Sequence, residues 1–252
     1  MVIPLLTIFV ACQPAGFLFT GDGAIECGGD GEAIKLANNP DAVDPTFDEL
    51  IAFIKQDITD KKEYIADGPG AYVCADFAEE VHNNAEAAGL RAGWAGIIFA
   101  ETEEGHAVNA FETVDRGLVF IDCTNGSKSY TGDNGPGNWD AVAYVQEGSR
   151  YGIIPIDRAE SLEYSYYLEY ESAWRDYKNA LEDYNREVDA YNREIEGRVY
   201  TIGSPEERSI TARGSELAGR EELLKDLENE LGNYWYTTEF SSYSIKGVEI
   251  HW

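Results

Sequence analysis

The fifty-three residues from Tyr72 to Thr124 read YVCADFAEEVHNNAEAAGLRAGWAGIIFAETEEGHAVNAFETVDRGLVFIDCT. Gly68, Pro69 and Gly70 break the chain just upstream. From Cys74 the pattern turns helical, with Phe77, Val81, Ala85 and Ala88 on one face and Gly89 as the stop. Cys74 therefore falls in a first helical turn, where unpaired N–H groups and the positive end of the dipole favour a negative charge. Strands follow. Leu90 to Ala100 is apolar, Gly105 to Thr113 alternates, and Leu118, Phe120 and Asp122 share one face of the next strand. The spacing predicts a mixed α+β core, a cysteine-bearing helix packed on an antiparallel sheet.

Three residue types in this stretch form a chemical set. Cys74 opens the helix, His106 opens a strand and Asp122 closes the next one. A thiol nucleophile, a base and a group that orients the base need those residues in reach of one another. His106 and Asp122 share a sheet face only if the connecting loop has an odd number of residues. A five-residue loop from Thr113 to Gly117 puts Val108 opposite Asp122 and His106 diagonal to it. A three-residue loop from Asp115 to Gly117 also satisfies the turn chemistry but moves the pair apart. His82 lies about 80° around the helix from Cys74 and is expected in solvent; His251 has no expected role. No His/Cys cluster has metal-ligand spacing, so neither a metal nor a cofactor is expected.

The block resembles the transglutaminase-like superfamily of papain-like cysteine enzymes. The resemblance rests on Cys74 at a helix start, Gly89–Leu90–Arg91–Ala92 leading into a strand, His106–Ala107, and Phe120–Ile121–Asp122–Cys123–Thr124. Cys74 and His106 are 32 residues apart, and His106 and Asp122 are 16 apart. Val108 stands where the family often has Trp, and Cys123 where it often has Pro. The resemblance implies acyl transfer at an amide or peptide carbonyl of a protein or peptide substrate, with Cys74, His106 and Asp122 as the triad. Water as acceptor makes a protease or amidase, a lysine amine makes a transglutaminase, and hydrolysis is the expectation. The Cys74 backbone N–H is the expected oxyanion donor. Tyr72 and Trp139 are side-chain candidates for the oxyanion or substrate groove. The alternative is a non-catalytic surface module that binds proteins.

Around this core the chain divides into stretches. Residues 1–12 are apolar and end in Phe9–Val10–Ala11–Cys12, which reads as a signal or lipoprotein-type leader with Cys12 lipidated. Residues 13–45, rich in Gly, Asp, Ala and Asn, read as a flexible spacer. The core spans 46–153 and starts with a helix whose stripe is Phe47, Leu50, Ile51 and Ile54. After Thr124 a polar, glycine-rich stretch to Asp140 reads as a loop. Residues 154–233 read as an antiparallel helical hairpin inserted in the core. Its first helix is expected from Asp157 and Glu160 to about Gly197, with Tyr167, Trp174, Leu181, Val188 and Ile195 every seventh residue and Tyr170, Tyr177, Tyr184 and Tyr191 as the second series. Ser204 and Pro205 start its second helix, with Ile210, Leu217, Leu224 and Leu231 in heptad register. The tyrosine-lined seam is a candidate surface for a protein partner. Residues 234–252 read as strands returning to the sheet.

The chain has 252 residues, 47 Asp and Glu against 19 Lys and Arg, and a net charge of −28. That charge opposes phosphate-backbone contact and excludes nucleic acid as a partner class. It leaves membrane association only through a lipid anchor. With Cys12 and Cys74 assigned, Cys27 and Cys123 remain, and their pairing is open. With the leader so read, the expected location is outside the cytoplasm, on a lipid anchor if Cys12 is acylated.

Overall fold

The structure, a computed structural model, describes residues 27–135 and 137–252. The leader of residues 1–12, its lipidated Cys12, and the spacer up to residue 26 lie outside the described residues. The fold is mixed α+β, with an antiparallel sheet and four α-helices among the described residues.

The helices are α1 (Phe47–Ile54), α2 (Cys74–Ala87), α3 (Tyr164–Ile195) and α4 (Pro205–Leu231). The strands are β1 (Gly93–Phe99), β2 (Gly105–Thr113), β3 (Gly117–Asp122), β4 (Lys128–Gly132), β5 (Ala141–Tyr144), β6 (Gly152–Pro155), β7 (Tyr234–Thr238) and β8 (Ile245–His251). Six strands form one sheet in the order β6-β5-β3-β2-β1-β8; β4 and β7 form a second, two-stranded one. The chain divides into two compact units. One runs to Ser129 and adds residues 136–164 and Tyr236–Trp252; the other comprises Tyr130–Gly135 and Ser165–Trp235.

In the first unit, α1 starts from a reciprocal cap. Thr46 Oγ1 accepts the Glu49 N–H, and the Glu49 carboxylate accepts the Thr46 N–H. Phe47, Leu50 and Ile54 are buried, and Ile51 is only partly so. The start of α2 has no hydroxyl cap. Instead Asp76, one turn in, accepts the Val73 and Gly29 N–H groups, both at 2.8 Å. Gly89 ends the helix in the left-handed region, at φ 87°. Two sheet side chains fasten the helix, because Trp94 Nε1 donates to Ala75 O and Asn109 Nδ2 to Ala78 O.

Thr113 pairs with Gly117 and Asn109 with Ile121. That register continues to set Val108 across from Asp122, as expected for the loop from Thr113 to Gly117, although Thr113 and Gly117 themselves pair and leave only residues 114–116 in the turn. Gly117 takes the positive φ, 74°, that closes the turn. The last strand, β8, pairs antiparallel with β1 at the sheet edge.

Several expectations need correction. His82 is fully buried, with Nε2 3.0 Å from Asn38 Oδ1. The cause is the segment read as a flexible spacer, whose described part is strapped along α2. Ala37 N–H donates to Asn83, Asn39 N–H to Glu86 and Gly29 N–H to Asp76. A segment poor in apolar residues is thus held by backbone-to-side-chain hydrogen bonds, which hydropathy does not reveal. The stretch between Thr124 and Asp140 contains strand β4. The first hairpin helix starts at Tyr164, not at Asp157. Residues Gly152–Pro155 are drawn into β6, and Asp157 pairs with Lys55 instead of capping a helix. The question left open for Cys27 and Cys123 is answered, since Cys27 is disulfide-bonded while Cys123 is a free, buried thiol.

The second unit is a helix pair. Arg213 bonds Glu194, Arg220 pairs with Glu187, and Tyr184 bonds Glu221, so α3 and α4 run antiparallel. Tyr191 lies over Gly214, where a Cβ would come within 2.8 Å of its hydroxyl. Tyr167, Tyr170, Trp174, Tyr177, Leu217 and Leu224 are buried, whereas Leu181, Val188 and Ile195 are only partly covered. A two-helix pair has one seam, and here it is dry at one end only.

Candidate active site

Ala107, the neighbour of His106, packs in one apolar cluster with Val73 and Ala75, the neighbours of Cys74. The start of β2 therefore meets the start of α2. Cys74 is half-buried beside that cluster, together with Tyr64, Ile34 and Leu36. His106 is fully buried. Its ring stacks on Phe240 at 4.6 Å and meets the edge of Tyr151 at 5.4 Å.

His106 Nε2 lies 2.9 Å from Asp122 Oδ2. Nδ1 is buried and makes no hydrogen bond of ordinary geometry to the described residues. Cys74 is the other side chain close enough to favour the charged form of the ring. Burial alone would lower the His106 pKa. The Asp122 carboxylate and Cys74 outweigh it and lift the value to about 9.

Asp122 is also fully buried and is saturated with partners. Oδ2 accepts from His106 and from Tyr151 Oη at 2.7 Å; Oδ1 accepts from the Thr124 N–H at 2.9 Å and faces Lys128 Nζ at 3.2 Å. Burial works against the carboxylate, but Lys128, His106 and Tyr151 hold its pKa well below the usual range. Burial and the charge of Asp122 push the Tyr151 hydroxyl well above its ordinary value, so it stays a donor.

Behind Asp122 lie two more buried acids, Asp60 and Asp140. Asp60 Oδ2 accepts the Trp139 N–H at 2.9 Å, and Asp140 accepts nothing at Oδ2 from the described residues. Burial and the charge of Asp60 push Asp140 up to about 7. Burial and Asp140 push the Cys123 thiol far up, which marks it as inert beside Cys74.

The weaker candidates fall elsewhere. The Tyr72 hydroxyl donates to Glu80 at 2.6 Å, and its ring packs edge-on against Phe77, so it is not presented to an oxyanion. Trp139 enters this region through its backbone, its ring stacking on Tyr236. Lys128, Tyr151 and Phe240 went unnoticed in the sequence. A lysine in a glycine-rich stretch reads as exposed, and an aromatic distant in sequence carries no register signal. No group of three or more His, Cys, Asp or Glu among the described residues could hold a metal ion, and no helix among them is long and apolar enough to cross a membrane. Comparisons with protein-family models, with curated proteins and with solved structures give no match.

Proposed function

We propose that the chain is a cysteine acyl-transfer enzyme of transglutaminase-like, papain-like type, most simply a hydrolase of amide or peptide bonds. Residues 46–153 would be the catalytic core, 154–233 a helical insertion and 234–252 its closing strands. The observation that carries the reading is the buried His106 ring, with a carboxylate 2.9 Å from one nitrogen, on a strand start that packs against the helix start bearing Cys74. In this reading Cys74 attacks the carbonyl carbon as its S–H proton passes to His106. His106 returns that proton to the leaving amine as the tetrahedral adduct collapses to a thioester. Water, deprotonated by His106, then cleaves the thioester and restores the thiol. Asp122 holds the ring and stabilises the imidazolium. The Cys74 N–H, at the helix start, supplies an oxyanion contact.

Alkylation by iodoacetamide, located by mass spectrometry, tests this. Cys74 should label readily at pH 6 while Cys123 does not, and His106→Ala should abolish the pH 6 reaction. Equal labelling of wild type and His106→Ala at pH 6 would sink the proposal. Release of new amino groups from a denatured protein substrate, against incorporation of a fluorescent amine, separates hydrolysis from transamidation.

The site of action we place outside the cytoplasm, on a lipid anchor if Cys12 is acylated. Intact mass of the native protein tests both points. A second role, binding a protein partner, is favoured at the hairpin turn, where Val199 and Ile202 are almost wholly exposed. Deleting residues 198–203 in favour of a short glycine linker should then leave Cys74 labelling unchanged while abolishing partner capture. If Cys74 proves unreactive, the protein is better read as a non-catalytic binding module.

A further inference from the structure

Lys128 is the one Lys or Arg among the described residues with a buried place in the fold, its side chain wholly shielded from solvent. A buried ammonium is costly unless each N–H finds an acceptor. Here all three do. Nζ donates to the carbonyl oxygens of Asp122 at 2.5 Å and Trp139 at 2.7 Å, and pairs with Asp122 Oδ1 at 3.2 Å. The Tyr236 ring covers it at 6.0 Å. The partition at Asp122 is clean, with Lys128 on one carboxylate oxygen and His106 on the other.

We propose that Lys128 is a positioning residue and the resident counter-ion of the candidate active site: it fixes the Asp122 carboxylate for His106 and balances its charge. The inference rests on the acyl-transfer reading above. With Asp122 neutralised by Lys128, a Cys74 thiolate and a His106 imidazolium form a pair in a site of no net charge. Without Lys128 the same pair forms in a site with one negative charge in excess, and every proton leaves it less readily. The other groups facing the ammonium are acids or neutral: Asp140 and Cys123 from the chain between β3 and β5, with Asp60 beyond them. None can replace its charge.

The test uses the full chain and iodoacetate. Its reaction with a thiolate–imidazolium pair rises as the pair forms and falls as the imidazolium loses its proton, giving a bell against pH. Lys128→Met removes charge and donors; Lys128→Gln keeps a donor without the charge. Both limbs of the bell should move to higher pH, by about one unit, in both variants. A bell that stays in place and only loses height would show Lys128 to be structural and overturn the proposal. If neither variant folds, the wild type decides. The Lys128 ammonium should give a slowly exchanging ¹H–¹⁵N signal that shifts as Cys74 ionises; a signal indifferent to that titration overturns the proposal. A wild type with no bell at all is a different failure, that of the acyl-transfer reading itself.

Discussion

His106 and Asp122 touch through a 2.9 Å contact between Nε2 and Oδ2, and neither side chain is exposed to solvent. The contact exists because the β2–β3 register sets Val108 across from Asp122 and leaves His106 two residues further along the same face. A register slip of one residue would send the histidine to the opposite face. The turn at Gly117 is thus part of the site, although it lies eleven positions along the chain from the histidine.

Asp122→Asn is expected to keep this geometry and lose the charge. Turnover, or Cys74 labelling at pH 6, should fall by about three to four orders of magnitude, as when an orienting aspartate is neutralised in comparable triads. The variant should also be less stable, because Lys128 remains buried without its carboxylate. The cost is on the order of 3 kcal/mol. Labelling rates together with a urea unfolding curve at constant pH check both. Near-wild-type labelling would remove Asp122 from the proposed mechanism.

What could be read in advance, and what could not, follows from range. The helix at Cys74, the glycine stop at Gly89 and the strands bearing His106 and Asp122 are local patterns of period and punctuation. Both registers of the β2–β3 turn were visible, but the choice between them belongs to the whole sheet. The burial of Lys128, His82 and Asp140 depends on segments folding back from elsewhere in the chain. Asp140 lies beside Asp60, eighty positions earlier, and nothing in either neighbourhood announces the other. Strand Gly152–Pro155 is hidden in the sequence because it runs directly into the cap signal of Asp157 and Glu160, so the stretch reads as the approach to a helix.

Asp140 sets a stability trend opposite to the usual one for acids. Its pKa is raised in the fold, so the folded state holds the proton more tightly than the unfolded chain does. The stabilisation is complete below the unfolded value, about 3.8 for the free side chain, and is lost as pH rises towards about 7. Asp122 acts the other way, losing its contribution only when pH falls through its lowered folded value. Across pH 4 to 7, Asp140 should therefore cost the protein on the order of 2–4 kcal/mol. Asp140→Asn, which cannot ionise, should flatten that slope and melt higher than wild type above pH 7. Thermal melts at pH 5 and pH 8 measure it. A wild-type slope retained in Asp140→Asn would assign the effect to another group.

The helix pair gives the last prediction, since its surface and its seam differ in what they contribute. Trp174 is fully buried, stacks on Trp235 at 6.4 Å and meets the edge of Tyr177 at 5.5 Å. Trp174→Ala removes the largest side chain in the dry part of the seam and leaves a cavity, a change that costs about 3–5 kcal/mol. The ion pair of Arg220 with Glu187 looks at least as specific, but Glu187 is half exposed and its partner a third. Solvent screening and side-chain entropy leave such a pair about 0–1 kcal/mol. Circular dichroism at 222 nm should show the helical signal of Trp174→Ala melting well below wild type, with Glu187→Gln within a few degrees of it. The reverse order would mean that α3 and α4 are held by their charged rims and not by the aromatic seam.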